Sequence, residues 1–510
     1  VRELPSSFRS YTWAPSDREI AALGGIDPSE VLRFDANVPA YPPLAVRPSA
    51  VAGAVATVNT YPHGGYQELV TAIARYAGVD PKNVVLGAGS DDLILLVARS
   101  FGGPGGRIDI ANDPTYPMFD IARALAGAER VTGPPELTFF CRPNNPTGEE
   151  SPLPAARPLV VDEAYFEYSK DTVADRLDDD IIVLRTFSKA FGLAGARVGY
   201  ALAAPDVAAE LNRRQSPAPV STLSAALALA ALETPPDVTP ELEERARLEE
   251  GLQVLGFSPL PSVTNFVYVP VTDPPALRDS LYSRGLAVRA VPGGVRISVR
   301  DELDDDVLLA ALAAITSGAA PAPARNRARR VRRARATAET RIAVTLQLDG
   351  GGSVHIATGS GLYDHFLEQL GFHAGFDATV SGSGDRETGS HHTVEDTAIT
   401  FGETLDRALG DRSGIARYGD AVVAMDDALA TAAVDLGGRA WAEIDIHPDP
   451  GLAVHSLTSL AQAARMTLHV TASGSDAHHV AEASFKAVGR ALKKAISRSG
   501  ASIPSTKGIL

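Results

Sequence analysis

Cysteine, lysine and long apolar runs are what this 510-residue sequence has least of. A single cysteine, Cys141, excludes a disulfide framework and any Cys-rich metal site. No stretch approaches the roughly 18–20 consecutive apolar residues that a membrane-spanning helix needs. The opening VRELPSSFRSYTW has no signal-peptide core. These absences point to a cytoplasmic protein with no membrane partner. Lysine is scarce, with seven against 40 arginines, so each lysine needs a reason. Only His63 precedes residue 350, whereas the other ten histidines lie between His355 and His479. The two halves therefore promise different chemistry. A net charge of −15 argues against nucleic acid as the main partner.

An apolar content of 45% and a charged content of 21% fit a folded chain. The length suggests two to four domains. From Ser317 to Arg335 the chain reads SGAAPAPARNRARRVRRAR, small and Pro-rich and then with seven arginines in eleven residues. Such a segment reads as a solvated connector. The expected division is residues 1–318 and 336–510, with a linker over 319–335.

In the first part, NVVLGAG, GRIDIAND, LTFFCRPN, PLVVDEAY, IIVLRTFSK and RVGYALA alternate with amphipathic stretches. That pattern predicts an α/β domain with a mostly parallel sheet, whose ligands bind where strands end. After about Pro235 a smaller α+β domain is expected, which the first fifty residues join. Lys189 follows a strand in a small-residue loop, where an amine can be desolvated and used as a nucleophile. Ser188 and Arg197 flank it with a hydroxyl and a fixed charge suited to phosphate. Gly89, Ser90 and Asp91 open a helix whose free N–H groups attract an anion. Asp162 ends a strand, where a buried carboxylate can pair with a protonated ring nitrogen.

The second part carries HHTVED at 391–396 and HHVAEA at 478–483, each following a strand-like run and a Gly/Ser turn. The repeat predicts two copies of one α/β unit. On a helix, Glu395 and Glu482 share a face with their histidines. Adjacent histidines diverge by about 100°, so a pair serves two ions more easily than one. With His365 and His469 the donors number six histidines and two glutamates, enough for two metal ions. Imidazole and carboxylate without sulfur suit Mn, Fe, Co, Ni or Zn.

With these motifs in view, the first part resembles the fold-type I pyridoxal-phosphate aminotransferases, most closely the histidinol-phosphate aminotransferases. The matching runs are YPHGGYQEL, GAGSDDLI, DPTYPMF, RPNNPTG, VVDEAYFEY, RTFSKAFGLAGARVGY and VRIS. The resemblance implies a large α/β domain plus a small α+β domain and pyridoxal 5′-phosphate as cofactor. Lys189 would be its covalent anchor and the proton carrier, and Asp162 would keep the pyridine nitrogen protonated. Asn145 and Tyr165 would contact the ring oxygen, Tyr116 would stack on the ring, and Tyr61 would reach the cofactor phosphate of a partner subunit. Arg296 would grip the substrate carboxylate, with Arg289 and Tyr11 as candidates for the substrate's phosphate. Between GAERV and LTFFC, and between NPTGEE and LVVDEAY, this chain is shorter than such relatives.

Residues 336–510 resemble imidazoleglycerol-phosphate dehydratase, from ETRI and LDGGG through YDHFLEQLGFH, GIARYG, MDDAL, VDLGGR and both HHxxE motifs to PSTKG. This implies a duplicated α+β domain with two Mn²⁺ ions, held by His365, His391, His392, Glu395, His469, His478, His479 and Glu482. Arg417, Arg439, Lys486, Ser505 and Lys507 would bind the substrate phosphate, with His373 as a further substrate contact. Glu339 would meet the hydroxyl-bearing chain as acid or base, so that Lys189, Glu339, Glu395 and Glu482 carry the catalysis. Ser390 stands where the family usually has an acidic residue.

Together the resemblances imply consecutive steps of histidine biosynthesis, with glutamate as amino donor. They also imply a large homo-oligomer, a 24-mer-like dehydratase shell carrying aminotransferase dimers. A different pyridoxal-phosphate reaction, an inactive scaffold in the first part, or a metal-binding module in the second remain as alternatives.

Overall fold

The computed structural model describes the chain apart from residues 1–3, 6–7, 27, 40–47, 63, 131–133, 318–328, 338, 385–389, 411, 450 and 500–510. Two compact units result, Val1–Ala324 and Arg325–Leu510. Among the described residues no helix is long and apolar enough to cross a membrane.

The first unit is built on a six-stranded sheet. In chain order its strands are β1 (Val84–Gly87), β2 (Ile108–Ile110), β3 (Leu137–Cys141), β4 (Leu159–Asp162), β5 (Ile181–Thr186) and β6 (Gly199–Leu202), and their spatial order is β1-β6-β5-β4-β3-β2. Strands β2 to β5 are parallel, and β6 runs antiparallel to both neighbours. Strands β3, β4 and β5 are buried at every position, so they read as unbroken apolar runs rather than alternating ones. One gap in the helix–strand alternation falls where the sequence is shorter than its resembling relatives, between NPTGEE and LVVDEAY. β3 and β4 are parallel neighbours, yet residues 142–158 between them contain no helix. Pro143, Pro146, Pro152, Pro154 and Pro158 explain this, because each lacks the N–H a helix interior needs.

The smaller part holds β7 (Phe266–Pro270), β8 (Arg289–Val291) and β9 (Gly294–Ser298) in the antiparallel order β8-β9-β7. Leu32 and Arg33 pair with Leu286 and Ala287, and Phe34 is buried in this core. The early residues thus join the smaller part, as expected.

The second unit runs β10 (Arg330–Ala336), β11 (Thr340–Gln347), β12 (Val354–Ala357), α-helix Gly361–Ala374, β13 (Asp377–Gly384), α-helix His391–Leu409, and then β14 (Tyr418–Met425), β15 (Ala428–Asp435), β16 (Trp441–His447), α-helix Ala453–Ala463, β17 (Thr467–Ser473), α-helix Ala477–Ile496. The two sheets have the same order, β10-β11-β13-β12 and β14-β15-β17-β16. In each, the last pair is parallel and the others antiparallel. Alternation sets their faces: Ile342, Val344 and Leu346 of β11 point inward, as do Ala430, Ala432 and Val434 of β15. One apolar cluster draws on both halves, from Val331 to Ile496. We name the four helices of this unit α1 to α4 in chain order. At Gly489 of α4 an added Cβ would lie 2.5 Å from the carbonyl oxygen of Leu370 on α1, so this crossing admits only glycine.

The connector through Arg335 is corrected here. Its last arginines form β10, paired along its length with β11. Period-two alternation puts Val331, Arg333 and Arg335 on the face turned to α2. There Val331 is buried, Arg333 meets Glu403 at 3.0 Å, and Arg335 meets Asp396 at 2.7 Å. The acids of α2 thus turn a run that composition reads as solvated into an edge strand. Residues 319–328 of the expected linker lie outside the described residues.

Removing β10 uncovers the β11 edge and strips Asp396 of its guanidinium, which for a buried carboxylate costs about 1–3 kcal/mol before any packing loss. A chain beginning at residue 329 should therefore fold. One beginning at residue 337 should melt lower by about 10 °C or more, or fail to accumulate, as measured by thermal unfolding of the two truncations.

Candidate functional site

In the first unit the ends of β4 and β5 place Asp162 and Lys189 together. Lys189 Nζ donates to the Ala36 carbonyl at 3.1 Å and lies 5.8 Å from the Tyr165 ring centre. Burial, and next Arg296, push its amine down to about 8. Asp162 is buried, with its Oδ1 accepting from the Ala164 N–H at 3.1 Å. Burial pushes its carboxyl up to about 7. A buried carboxylate without a full ion pair, beside an amine poised to lose its proton, fits a protonated heterocycle carrying a carbonyl.

The surrounding residues were for the most part expected. Arg296 of β9 donates to Asn145 Oδ1 at 2.7 Å and to the Asp35 carbonyl at 2.6 Å, while its buried Nε has no hydrogen-bond partner. That spare donor fits a carboxylate ligand. Tyr165 Oη accepts from Asn37 Nδ2 at 2.9 Å. Tyr116 Oη donates to Asp91 Oδ1 at 2.8 Å, and Arg197 Nη2 donates to Asp91 Oδ2 at 3.1 Å. Gly89 precedes the helix Ser90–Phe101 at φ 84°, and a Cβ there would lie 2.6 Å from Arg197 Nη2. Helix N–H groups, Arg197 and the Ser188 hydroxyl make a phosphate-compatible rim, and Ser188 Oγ accepts from Thr186 Oγ1 at 2.9 Å. Arg289 reaches the Thr12 carbonyl and stands over the Tyr11 ring at 5.7 Å. Tyr61 is 82% exposed. The run DANVP, with Asn37, is visible in the sequence as a remnant of a family motif, but it gives Asp35 and Asn37 no assigned contact, because only the fold brings the early chain to β9.

In the second unit two three-ligand clusters form. His365, His478 and Glu482 make one, and His391, Glu395 and His455 the other, each with donor atoms within 4.8 Å of one another. The first joins α1 to α4, and the second joins α2 to α3, so each takes one helix from either half. Glu482 Oε2 lies 3.2 Å from Nε2 of both His365 and His478, whose rings stack at 5.6 Å. Burial opposes its ionisation, yet Lys486 at 2.8 Å and His365 hold its carboxyl below the usual range. In the second cluster the rings of His391 and His455 stack at 4.6 Å, and His455 Nε2 is buried without a hydrogen-bond partner, 3.7 Å from Glu395. An orphaned imidazole nitrogen facing a carboxylate fits a divalent cation.

Here the expected ligand set needs correcting. His455 takes the place given to His469, which lies on the exposed face of β17 and joins neither cluster. His392 and His479 also stand outside the clusters, as divergence by about 100° along a helix requires. His392 Nδ1 lies 3.3 Å from Glu339 Oε2, and His479 Nδ1 lies 2.7 Å from Asp427 Oδ1. Of the expected phosphate ligands, Arg417 is bidentate on Asp435 and Lys486 is paired with Glu482, which leaves neither uncommitted. Arg439 is exposed. His373 lies on α1, its ring pushed down by burial and by Lys486. Ser505 and Lys507 lie outside the described residues. Ser390 makes no side-chain cap on α2, whereas Asp476 caps α4 through the His478 N–H at 2.7 Å.

Comparison with known proteins agrees with this division. The family described as aminotransferase class I and II matches residues 29–142 and 133–315, and that of imidazoleglycerol-phosphate dehydratase matches 358–492. An imidazoleglycerol-phosphate dehydratase of Salinispora tropica is 46% identical over 196 residues, covering 34% of this chain and 95% of that protein. Another, of Frankia casuarinae, is 49% identical over 186 residues with the same coverage. Among solved structures, a histidinol-phosphate aminotransferase of Sinorhizobium meliloti in complex with pyridoxal-5′-phosphate superimposes with TM-score 0.54 at 28% identity, covering 61% of this chain and 98% of that one. A putative aminotransferase of Burkholderia pseudomallei gives 0.50 at 27%, with 56% and 98% covered.

Two outcomes follow from this geometry. Asp162 has its carboxyl raised from 3.8 to about 7 in the fold, so the cofactor-free protein loses stability as pH rises from 4 through 7. Asp162→Asn should remove that loss and melt higher than the parent at pH 8, by several kcal/mol at about 1.4 per pKa unit, with the gap closing at pH 4. Thermal unfolding across this range measures it, and added pyridoxal phosphate should stabilise only the parent. At the other site, His455→Ala should lower the Mn²⁺ bound per chain while His469→Ala leaves it unchanged, as elemental analysis after dialysis would read.

Proposed function

The chain belongs to the class I and II aminotransferase family through its first unit and to the imidazoleglycerol-phosphate dehydratase family through its second, and from that premise we propose two consecutive reactions of histidine biosynthesis. The second unit would dehydrate imidazoleglycerol phosphate to imidazole-acetol phosphate. The first would transaminate that ketone with glutamate, giving histidinol phosphate and 2-oxoglutarate. The reading rests on one observation: two histidine–histidine–glutamate clusters, each assembled across both halves of the dehydratase-like unit.

In the dehydratase reaction the carbon that loses its proton has no carbonyl beside it. A pair of divalent cations, taken as Mn²⁺, would supply the charge that lets the substrate imidazole expel its C3 hydroxyl. His365, His478 and Glu482 would hold one set of ligand positions, His391, Glu395 and His455 another, with His392 and His479 presented from the same helices. Glu339, half-exposed on the turn before β11, would take or return a proton at the hydroxyl-bearing chain. Arg439, Ser505 and Lys507 would bind the phosphate, Arg417 and Lys486 would join them by exchanging Asp435 and Glu482 for it, and His373 would meet the substrate beside them. The repeated strand order makes this unit an internal duplication in our reading, with a first domain at 1–318 and a second that begins with β10 at Arg330 rather than at 336.

In the aminotransferase, pyridoxal 5′-phosphate supplies the electron sink. Asp162 would hold the ring proton, Lys189 would anchor the group and move the substrate proton, and Asn145 and Tyr165 would fix the ring oxygen. Tyr116 would stack on the ring, and Gly89, Ser90, Ser188 and Arg197 would cradle the phosphate, with Tyr61 supplied by a second subunit. Arg296 would take the substrate carboxylate, with Arg289 and Tyr11 toward the distal phosphate. A homo-oligomer, with a 24-mer-like core and aminotransferase dimers, and a cytoplasmic location complete the proposal. The helix-free stretch 142–158 favours one second reading, a first unit that serves only as scaffold.

One assay separates the two. With imidazoleglycerol phosphate, Mn²⁺, pyridoxal phosphate and glutamate, the full chain should make histidinol phosphate, whereas a scaffold would leave the ketone to accumulate. Lys189→Ala should lose visible cofactor absorbance and lower transamination by roughly 10²–10⁴-fold or more, with dehydration within about twofold of the parent.

A further inference from the structure

The turns that join β10 to β11 and β14 to β15 occupy equivalent places in the two halves. Each carries a carboxylate beside the second histidine of an HHxxE motif. Glu339 approaches His392, and Asp427 approaches His479. The two contacts are not alike. His392 Nδ1 is 3.3 Å from Glu339 Oε2 without hydrogen-bond geometry, and it is buried and unpartnered. His479 Nδ1 is hydrogen-bonded to Asp427 Oδ1 at 2.7 Å.

Asp427 is itself held in place. Its Oδ2 accepts from the Ser475 N–H at 2.5 Å, the Ser475 hydroxyl at 2.6 Å and the Asp476 N–H at 2.9 Å. Asp476 in turn caps α4 through the N–H groups of His478 and His479. One carboxylate therefore ties the hairpin turn to the loop that launches α4, and its other oxygen is left for the imidazole. An ionised carboxylate only accepts, so the shared proton sits on Nδ1. In the neutral ring that cation binding requires, Nε2 keeps its lone pair, and the exposed Asp426 carboxylate lies 3.8 Å from it, an attraction for a cation. A carboxylate that fixes the tautomer and ring of a metal-binding histidine also raises its basicity.

We propose that Asp427 is a positioning residue, which locks His479 with Nε2 bare and directed to a divalent cation, while its counterpart Glu339 is left uncommitted for the substrate. The proposal rests on the metal-dependent reading above.

The test is a Mn²⁺ titration of the full-length, chelator-stripped chain, with free ion followed by electron paramagnetic resonance. Asp427→Asn should weaken Mn²⁺ binding at the His479 position by roughly 10–100-fold. Asp427→Glu should recover most of it. Ser475→Ala removes one clamp but leaves the Asp427–His479 bond, so its affinity should stay within about threefold of the parent. All three should melt close to the parent in chelator. Parental Mn²⁺ affinity in Asp427→Asn overturns the inference, and so does an equal loss in Ser475→Ala, which would mean the residue only braces the loop. A parent chain that binds no Mn²⁺ overturns the metal reading itself and this inference with it.

Discussion

A carboxylate drawn away from water must be answered by a cation, a proton or several N–H and O–H donors, and both units are organised around that demand. Glu163 is answered by the buried Arg185 at 2.9 Å, and Asp396 by Arg335 with the Thr337 and Thr340 hydroxyls. Both are structural, because their charge is satisfied inside the chain. Asp162 has a neighbouring backbone donor but, among the described residues, no ion pair, and burial raises its carboxyl to about 7. The difference between Asp162 and the adjacent Glu163 separates a binding position from a brace. They sit on consecutive residues at the end of one strand.

The dehydratase-like unit applies the same demand to histidine. Glu482 and Glu395 each face two imidazoles from helices of different halves, and those helices are held by a shared apolar core. Neither half contains a complete cluster. Packing of α1 on α4 and of α2 on α3 is therefore a condition for the ligand sets to exist, which makes the Gly489 crossing part of the site although it touches no ligand.

Much of this was legible in the residues. Lys189, Asp162 and the HHxxE pairs combine a chemically loaded side chain with a strand end or helix start, and such local patterns survive without coordinates. His455 did not announce itself, since HSLTSL has no repeated partner and resembles an ordinary apolar helix. Its one signal was positional: it opens the third helix of the unit much as His365 lies early in the first. His469 in TLHV is expected as a further nitrogen donor, but it lies on the exposed face of β17 and joins neither cluster. Asp427 was hidden in a DD turn, where aspartate is expected for backbone reasons alone. The arginine run misled for a different reason. Composition registers charge but not its alternation, and alternation decides whether a strand can present that charge to a facing helix.

That alternation also bears on how the two units are joined in sequence. A positive stretch between enzymes invites the idea of a rail for an anionic intermediate. Arg333 and Arg335 cannot serve that way, because their guanidinium groups are engaged with Glu403 and Asp396 in the fold of the second unit. Arg332 points to the opposite, exposed face of β10, as period two requires. The charge at this joint is thus divided by the pleat of one strand. Arg335 secures the turn that carries Glu339, through Asp396 and the Thr337 and Thr340 hydroxyls. The end of the connection between the two units is in that respect an element of the second unit, built into its first strand.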